Sequence, residues 1–384
     1  MIPVINARFG TAGAYCPTGW HDARVMRIAI DIGPLHGHRT GIGTAVHHLV
    51  EELDGDPTVE LQRYLLSFRA PDVPDQIRLP LPARIATRAW ARLDRPAADR
   101  WLVGADVVHG TNYVIPPTRR PGVVSVYDCW FLEHPELAIP DVARAGRILR
   151  RAAQRGAWVH TSSEASAVQA RRLLDTDRVR AVHLGPPDHH PAPATAPAGV
   201  AHLDGTRFVL AIGTCETRKR HPWLAEVFAA VDTDVHLVIA GAPGDATSVL
   251  LHTLAGLPAR VADRVHLLGP VDAESKAWLL HAAEVMAYPS MDEGFGFPLL
   301  EAQAAGLPII ASRAGSIPEV GGDGVQLVDL DDRPGFVEAL GAVLDDRRRH
   351  DELIDAGRRN LARFDWATTA RSMVELYRTA LEAS

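Results

Sequence analysis

The sequence predicts a parallel α/β protein of two domains, and three observations carry that prediction. The chain has 384 residues, long for a single core. Short apolar runs alternate along it with longer amphipathic stretches, the pattern of strand and helix units on a parallel sheet. The rhythm breaks once, at 185–200, where GPPDHHPAPATAPAGV is rich in Pro and Ala and lacks an apolar period, as a linker would.

The first strand is expected in MRIAIDIG and the first helix in GIGTAVHHLVEEL. Residues 1–25 hold no continuous hydrophobic region behind a basic start, so they do not read as a signal peptide. They are expected to be a loose extension, with Met26 directly ahead of the fold. Further strands are expected in QRYLLSF, ADVVHG, GVVSVYD and AWVHTSS, with helices at 83–102, 141–155 and 163–174, which makes 26–190 the first domain. After the linker the pattern restarts over 201–365. Strands are expected in RFVLAIGT, VHLVIAG, RVHLLGP, EVMAYPS and LPIIAS, each followed or separated by a helical stretch. The final FDWATTARSMVELYRTALEAS continues a helical pattern past the second domain, and the helix 366–384 is placed to cross back over the first.

Composition narrows the function. A content of 47% hydrophobic and 23% charged residues belongs to a folded chain rather than a disordered one. A net charge of -7 and a pI near 6.2 exclude a dedicated nucleic-acid binder, whose footprint would be strongly basic. Cys16, Cys129 and Cys215 lie far apart without Cys-x-x-Cys spacing, so neither a disulfide framework nor a zinc knuckle is expected, and a reducing cytoplasm is the simple reading. No apolar run approaches the roughly 18–20 residues that cross a bilayer.

In open parallel sheets, ligands bind beyond the carboxyl ends of the strands, so two such sheets place the site between them. YPSMDEGFGFPLLEAQAAGLPIIAS, 288–312, supplies the chemistry there. EVMAYPS is an apolar strand, Pro298 suits a helix start, and Gly306 followed by Pro308 suits its end. Gly294 and Gly296 strip side chains from the intervening loop, so backbone amides and a helix N-terminus can meet an anion. Glu293 on the loop and Glu301 in the helix would accept hydroxyls. A diphosphate flanked by hydroxyl-bearing groups, as in a nucleotide sugar, fits that pair. By spacing alone, an ordinary strand-to-helix turn with two solvated glutamates fits equally.

The stretch YPSMDEGFGFPLLEAQAAGLPIIASRAGSIPEVGGDG resembles the signature of retaining glycosyltransferases of family 4, two-domain enzymes of the GT-B fold, with the Glu-x7-Glu element at Glu293 and Glu301. TGIGTAVHHL, HGTNYVIPP, VVSVYDCWFLEHPE, TSSEASA, HLGPPD, IGTCETRKR and FDW follow in family order, so the resemblance covers 26–384. Within the family the chain is most similar to bacterial mannosyltransferases of polysaccharide assembly. That subgroup, rather than any single residue, points to GDP-mannose as donor and a saccharide or lipid-linked acceptor. No metal or other cofactor is expected, and DLDD at 329–332 reads as a turn ahead of a helix.

The resemblance implies that Arg218 and Lys219 hold the donor diphosphate as leaving group, a task for which a guanidinium fork and an ammonium point charge are suited. It implies that Glu301 binds the ribose and Glu293 the sugar, and that the backbone of Gly294, Phe295 and Gly296 meets sugar and phosphate. Gly41 and Gly43 in TGIGT would approach the diphosphate from the first domain. A dinucleotide fingerprint is rejected because its third glycine would fall at Val46. Relatives carry His-Asp where this chain has Tyr127-Asp128. Tyr127 can donate a hydrogen bond but, with an ordinary pKa near ~10, brings no positive charge. Asp128 is a candidate for acceptor binding. His109 and His134 are expected on nearby loops as structural residues, and His183 at a strand end. Arginine-rich, amphipathic 84–100 and 144–155 suit either a solvated face or contact with anionic lipid at the inner face of the cytoplasmic membrane. Two rivals stay open. One is a non-catalytic nucleotide-sugar-binding subunit, suggested by Tyr127, and the other a nucleotide-sugar epimerase, for which no acid–base set is evident.

Overall fold

The computed structural model describes residues 25–384 except 37–39, 68–74, 189 and 232. The expectations for residues 1–24, Cys16 among them, lie outside the described residues. The first sheet is parallel throughout and holds β1 (Met26–Asp31), β2 (Val59–Leu65), β3 (Gln76–Arg78), β4 (Val107–Gly110), β5 (Gly122–Val126), β6 (Trp158–Thr161) and β7 (Val179–Ala181), in the order β3-β2-β1-β4-β5-β6-β7. The second holds β8 (Phe208–Ile212), β9 (His236–Ala240), β10 (Val265–Gly269), β11 (Val285–Tyr288), β12 (Ile309–Ser312) and β13 (Gln326–Val328), in the order β10-β9-β8-β11-β12-β13. Every residue of β5, β8, β11 and β12 is buried, because helices cover both faces of a parallel sheet.

Strand order reverses beside β1 in the first sheet and beside β8 in the second. At such a point neighbouring connections leave to opposite faces, and a crevice opens above the strand ends. In the second sheet the loops bordering that crevice follow β8 and β11, and they contain Arg218–Lys219 and Glu293.

Three expectations are corrected. The helical stretch 83–102 is two elements: a helix Ala83–Leu93, ended where Asp94 takes a left-handed conformation (φ 56°), and a short turn Ala98–Arg100. His109 is no loop residue but lies inside β4, fully buried. The helix after β11 is Phe297–Ala305, so Pro298 is its second residue.

The last helix, Trp366–Glu382, starts at Asp365, whose side chain accepts from Thr368 N–H at 2.8 Å. Its stripe of Ala370, Met373, Val374, Tyr377 and Ala380 packs on β4, β5 and the first helix, Gly41–Asp54. The same helix also closes a buried polar chain. Tyr377 O–H meets His109 Nδ1 (2.8 Å), His109 Nε2 meets Ser125 Oγ (2.9 Å), Ser125 Oγ meets His160 Nδ1 (2.8 Å), and His160 Nε2 meets the Val182 carbonyl (3.3 Å). A carbonyl only accepts, so His160 carries its proton on Nε2 and every other bond is thereby directed, from Tyr377 through to Val182. Both imidazoles are neutral. Burial, with the two rings opposing each other's charge, pulls His109 down to about 3, and burial pulls His160 down to about 4.

The two lobes meet through a seam that is mostly polar. The Gly294 carbonyl of the second lobe accepts from Ser162 Oγ (3.1 Å), Ser163 Oγ (2.7 Å) and Ser166 Oγ (3.2 Å) of the first. A Cβ on Gly294 would lie 1.5 Å from the Tyr127 carbonyl oxygen. Below this, the Glu319 carboxylate of the second lobe accepts from Glu164 N–H (2.8 Å), Ala165 N–H (3.0 Å) and His183 Nε2 (2.6 Å). It thereby caps the first-lobe helix Glu164–Leu174, favourably placed at the positive end of that helix. A small apolar cluster of Ala45, Leu184, Phe295, Leu300, Val320, Phe364 and Trp366 completes the seam.

Two outcomes are expected. A neutral buried histidine resists protonation that the unfolded chain accepts near pH 6.5, so its contribution is intact above that pH and is lost as pH falls below it. His221, drawn down to about 4 by burial and then by Lys219, acts in the same sense. Asp31 and Asp292, each raised to about 6 chiefly by burial, oppose them only below that pH. Denaturant unfolding should therefore show a net loss of about 2–3 kcal/mol between pH 7.5 and 5.5, and constant stability would contradict the buried chain. Separately, Gly294→Ala should lower unfolding stability by about 1–3 kcal/mol through forced separation at Tyr127, whereas a wild-type melt would refute the close approach.

Candidate functional site

After β8 the chain turns sharply. Gly213 adopts φ +146° beneath the Lys219 side chain, and a Cβ on the neighbouring Gly241 would lie 1.9 Å from the Gly213 oxygen. Asp245 pins the turn by accepting from Thr217 N–H (2.8 Å) and Thr217 Oγ1 (3.1 Å). Arg220 then takes a left-handed conformation (φ 57°) and opens the helix His221–Ala230. This turn splits the basic triplet. Arg218 and Lys219 enter the crevice, while Arg220 leaves it to stack over Trp223, 4.3 Å from the ring centre, and to pair with Asp331.

The loop after β11 meets this turn, with Met291 N–H donating to the Arg218 carbonyl at 2.7 Å. Glu293 is 6% exposed and accepts from Lys219 Nζ and, at 3.3 Å, from Arg218 NH1. Lys219 Nζ also donates to Tyr288 Oη at 3.0 Å. A buried charge is costly unless paired and hydrogen-bonded, and here one carboxylate is shared by two cations. Burial would raise Glu293, but Lys219 and then Arg218 outweigh it and hold the carboxyl below its ordinary range. Burial would lower Arg218, yet Glu293 and Glu216 outweigh it and raise the guanidinium further. For Lys219 burial wins over the pull of Glu293, so the ammonium is drawn down. The two directions differ because each ion is desolvated by the same walls. With two cations facing it, Glu293 is ionised.

Glu301 lies one turn into the helix Phe297–Ala305. Its Oε1 accepts from Lys276 Nζ at 2.6 Å, while its Oε2 is buried without a partner. The helix begins at Gly296 (φ 91°) with no side-chain cap, leaving its positive end toward the cleft. Opposite stands the N-terminus of the first helix, where a Cβ on Gly41 would touch the Phe297 ring at 3.4 Å. These groups line a cleft of about 530 Å³ together with Tyr113, Tyr127 and Asp128.

The structure brings most of the sequence-predicted residues together. Glu293, Glu301, Arg218, Lys219, Tyr127, Asp128, Gly41, Gly294, Phe295 and Gly296 all border the cleft. Gly43 does not: it is buried, and Thr40 Oγ1 accepts from its N–H at 3.3 Å. The Phe295 side chain belongs to the seam, packed on Phe297 and Phe364 at 5.3 and 5.7 Å between ring centres. Gly294 is spared a side chain by Tyr127 across the seam. Burial raises the Tyr127 phenol above its ordinary value, so it stays a neutral donor. Asp128 is held at both oxygens, by Tyr113 Oη (3.0 Å) and Trp130 N–H (3.2 Å). His134 packs on Trp130 with the rings tilted, 4.0 Å between their centres, and neither it nor His109 borders the cleft. His183 serves Glu319, and Asp332 of DLDD accepts from Gly335 N–H at 2.9 Å as a helix cap. Cys129 and Cys215 are buried and free. Among the described residues no group of three or more His, Cys, Asp or Glu is placed to hold a metal, and no helix is long and apolar enough to cross a membrane.

Among the cleft residues that sequence reasoning missed are Tyr113, Tyr288 and Lys276. Tyr113 sits at φ 57°, a strained conformation for a bulky residue and one that sequence pattern does not reveal. Lys276 did leave a signal. The chain has only two lysines against 38 arginines, and both lysines border the cleft.

Residues 206–346 match the family model described as glycosyl transferases group 1. The chain is 38% identical over 154 residues to the MMP alpha-(1->4)-mannosyltransferase of Mycolicibacterium hassiacum, covering 39% of this chain and 36% of that one. It is 32% identical over 302 residues to the D-inositol 3-phosphate glycosyltransferase of Mycolicibacterium gilvum, covering 74% of this chain and 63% of that one. The matches thus span less than two thirds of the length of these curated relatives. Among solved structures, sucrose-phosphate synthase from Thermosynechococcus elongatus superposes with TM-score 0.69 at 19% identity, covering 94% of this chain and all of that one. Anabaena HepE, crystallised with UDP and glucose, superposes with TM-score 0.65 at 16% identity, covering 92% and 100%. These structural likenesses establish the GT-B fold, and within it residues 206–346 of the second lobe match the model of the glycosyl transferases of group 1.

Proposed function

We propose that this chain is a retaining glycosyltransferase of family 4, moving a hexose from a nucleotide sugar to a saccharide or lipid-linked acceptor. The observation that carries the reading is the cluster of Arg218, Lys219 and Glu293 between two facing helix N-termini, beside the unpartnered Oε2 of Glu301. Breaking the bond between the anomeric carbon and the diphosphate puts negative charge on the leaving group and positive character on the sugar. Arg218, Lys219 and the helix ends are fixed beforehand where the negative charge grows, so little reorganisation opposes the step. Glu293 faces the sugar, and Glu301 offers its free oxygen to the ribose diol. Asp128, oriented by Tyr113, faces the acceptor side. In the same-face route ascribed to the resembling family, the donor phosphate takes the acceptor's proton, so neither glutamate needs to be a covalent nucleophile.

The mannosyltransferase relative supports mannose, and GDP-mannose is the donor we propose. Tyr127 favours the rival reading of a binding subunit without turnover, since a neutral phenol brings no charge to the donor. Contact with anionic membrane belongs to the proposal as well. Arg88, Arg92, Arg144 and Arg147 surround a cavity of about 340 Å³ between the helices Ala83–Leu93 and Pro140–Gln154. Exposed Ile85 (60%), Leu137 (47%) and Ile139 (65%) lie at the starts of those helices.

Purified enzyme given a nucleotide sugar and acceptor should release nucleoside diphosphate and glycosylated acceptor with the donor's anomeric configuration, whereas binding without release supports the subunit reading. Glu293→Ala and Lys219→Ala should each lower turnover by about 10²–10³-fold or more, and wild-type rates in either would defeat the assigned site. Flotation should recover the protein with vesicles containing phosphatidylglycerol and leave it behind with phosphatidylcholine alone. No flotation with either composition would remove the membrane contact.

A further inference from the structure

We infer that Lys276 selects the nucleobase of the donor, and that it selects a base presenting a carbonyl oxygen. This inference rests on the nucleotide-sugar reading of the cleft. The chain meets nearly every demand for positive charge with arginine, and its only two lysines border this cleft. Lys219 belongs to the diphosphate end, through Glu293 and Tyr288. Lys276 is bound to Glu301 and to neither Arg218 nor Glu293. Its side chain is 32% exposed, and one of its three ammonium donors is committed to Glu301 Oε1 at 2.6 Å. That bond leaves Oε2 as the glutamate's free acceptor. A ribose held there has two neighbours, the diphosphate and the base. The diphosphate lies toward Arg218 and Lys219, so the remaining Lys276 donors serve the base.

An ammonium has three donors and no acceptor. Guanine O6 and uracil O4 accept from it, while adenine N6 and cytosine N4 present donors at the equivalent position and are rejected. A guanidinium would fork across Glu301 and occupy both of its oxygens, whereas a point charge occupies one. Lysine at this position therefore permits two roles at once, orienting Glu301 and reading the base.

Calorimetric titration of the full chain with GDP, UDP, ADP and CDP tests this. The wild type should bind GDP or UDP about tenfold tighter than both ADP and CDP. Lys276→Met should bring the four within about threefold of one another, and Glu301→Gln should weaken all four alike, since ribose is common to them. A preference that survives in Lys276→Met, or a uniform loss across the four, overturns base selection and leaves the cleft assignment standing. A wild type that binds none of the four overturns both.

Discussion

The Gly294 carbonyl oxygen is the joint on which the rest of the molecule depends. Three serine hydroxyls from the opposite lobe converge on it, and its α-carbon lies too near the Tyr127 carbonyl for any other residue. Gly294 directly follows Glu293, so the contact that closes the lobes also fixes the carboxylate shared by Lys219 and Arg218. Seam and charge cluster are consecutive residues of one loop, and movement of either is felt by the other. A buried carbonyl left without its donors would cost about 1–3 kcal/mol, which favours the joined arrangement.

Charge in the cleft is nearly balanced within the protein. Glu293 offsets Lys219 and Arg218, Glu216 accepts from Arg218 Nε at 2.8 Å, and Glu301 offsets Lys276. The diphosphate we propose for this site would share donors already oriented by carboxylates instead of recruiting mobile side chains, the condition under which fixed dipoles and charges are most effective. Tyr113 contributes in the same way, its strained backbone placing a phenol against Asp128.

Much of this could be read from the sequence, and the failures have physical causes. β5, β8, β11 and β12 are largely apolar along their length because both faces of each are covered. The three strands that escaped notice, β3, β7 and β13, have three residues each and lie at sheet edges, too short to show any period. The helix expected over 83–102 overruns a stop that the sequence carries only weakly, an aspartate at Asp94 that tolerates the left-handed conformation and Pro96 two residues later. His109 was misplaced because a histidine in an apolar run looks like a strand end until Ser125 and Tyr377 are seen to satisfy it. Glu293, Arg218 and Lys219 were legible since turns at strand ends carry them. Gly294 was read as a point of close approach to a ligand, whereas its close neighbour in the structure is Tyr127, 167 residues away in the chain, a relation local pattern does not encode.

The scarcity of lysine has a practical consequence. Apart from the terminal amine, the chain's primary amines are confined to its cleft, and Lys219 is 8% exposed. An acylating or reductive-alkylating reagent therefore finds Lys276 as its accessible side-chain target. Ordinary amine chemistry, indiscriminate on most proteins, becomes on this one a labelling method directed at a single wall of the crevice.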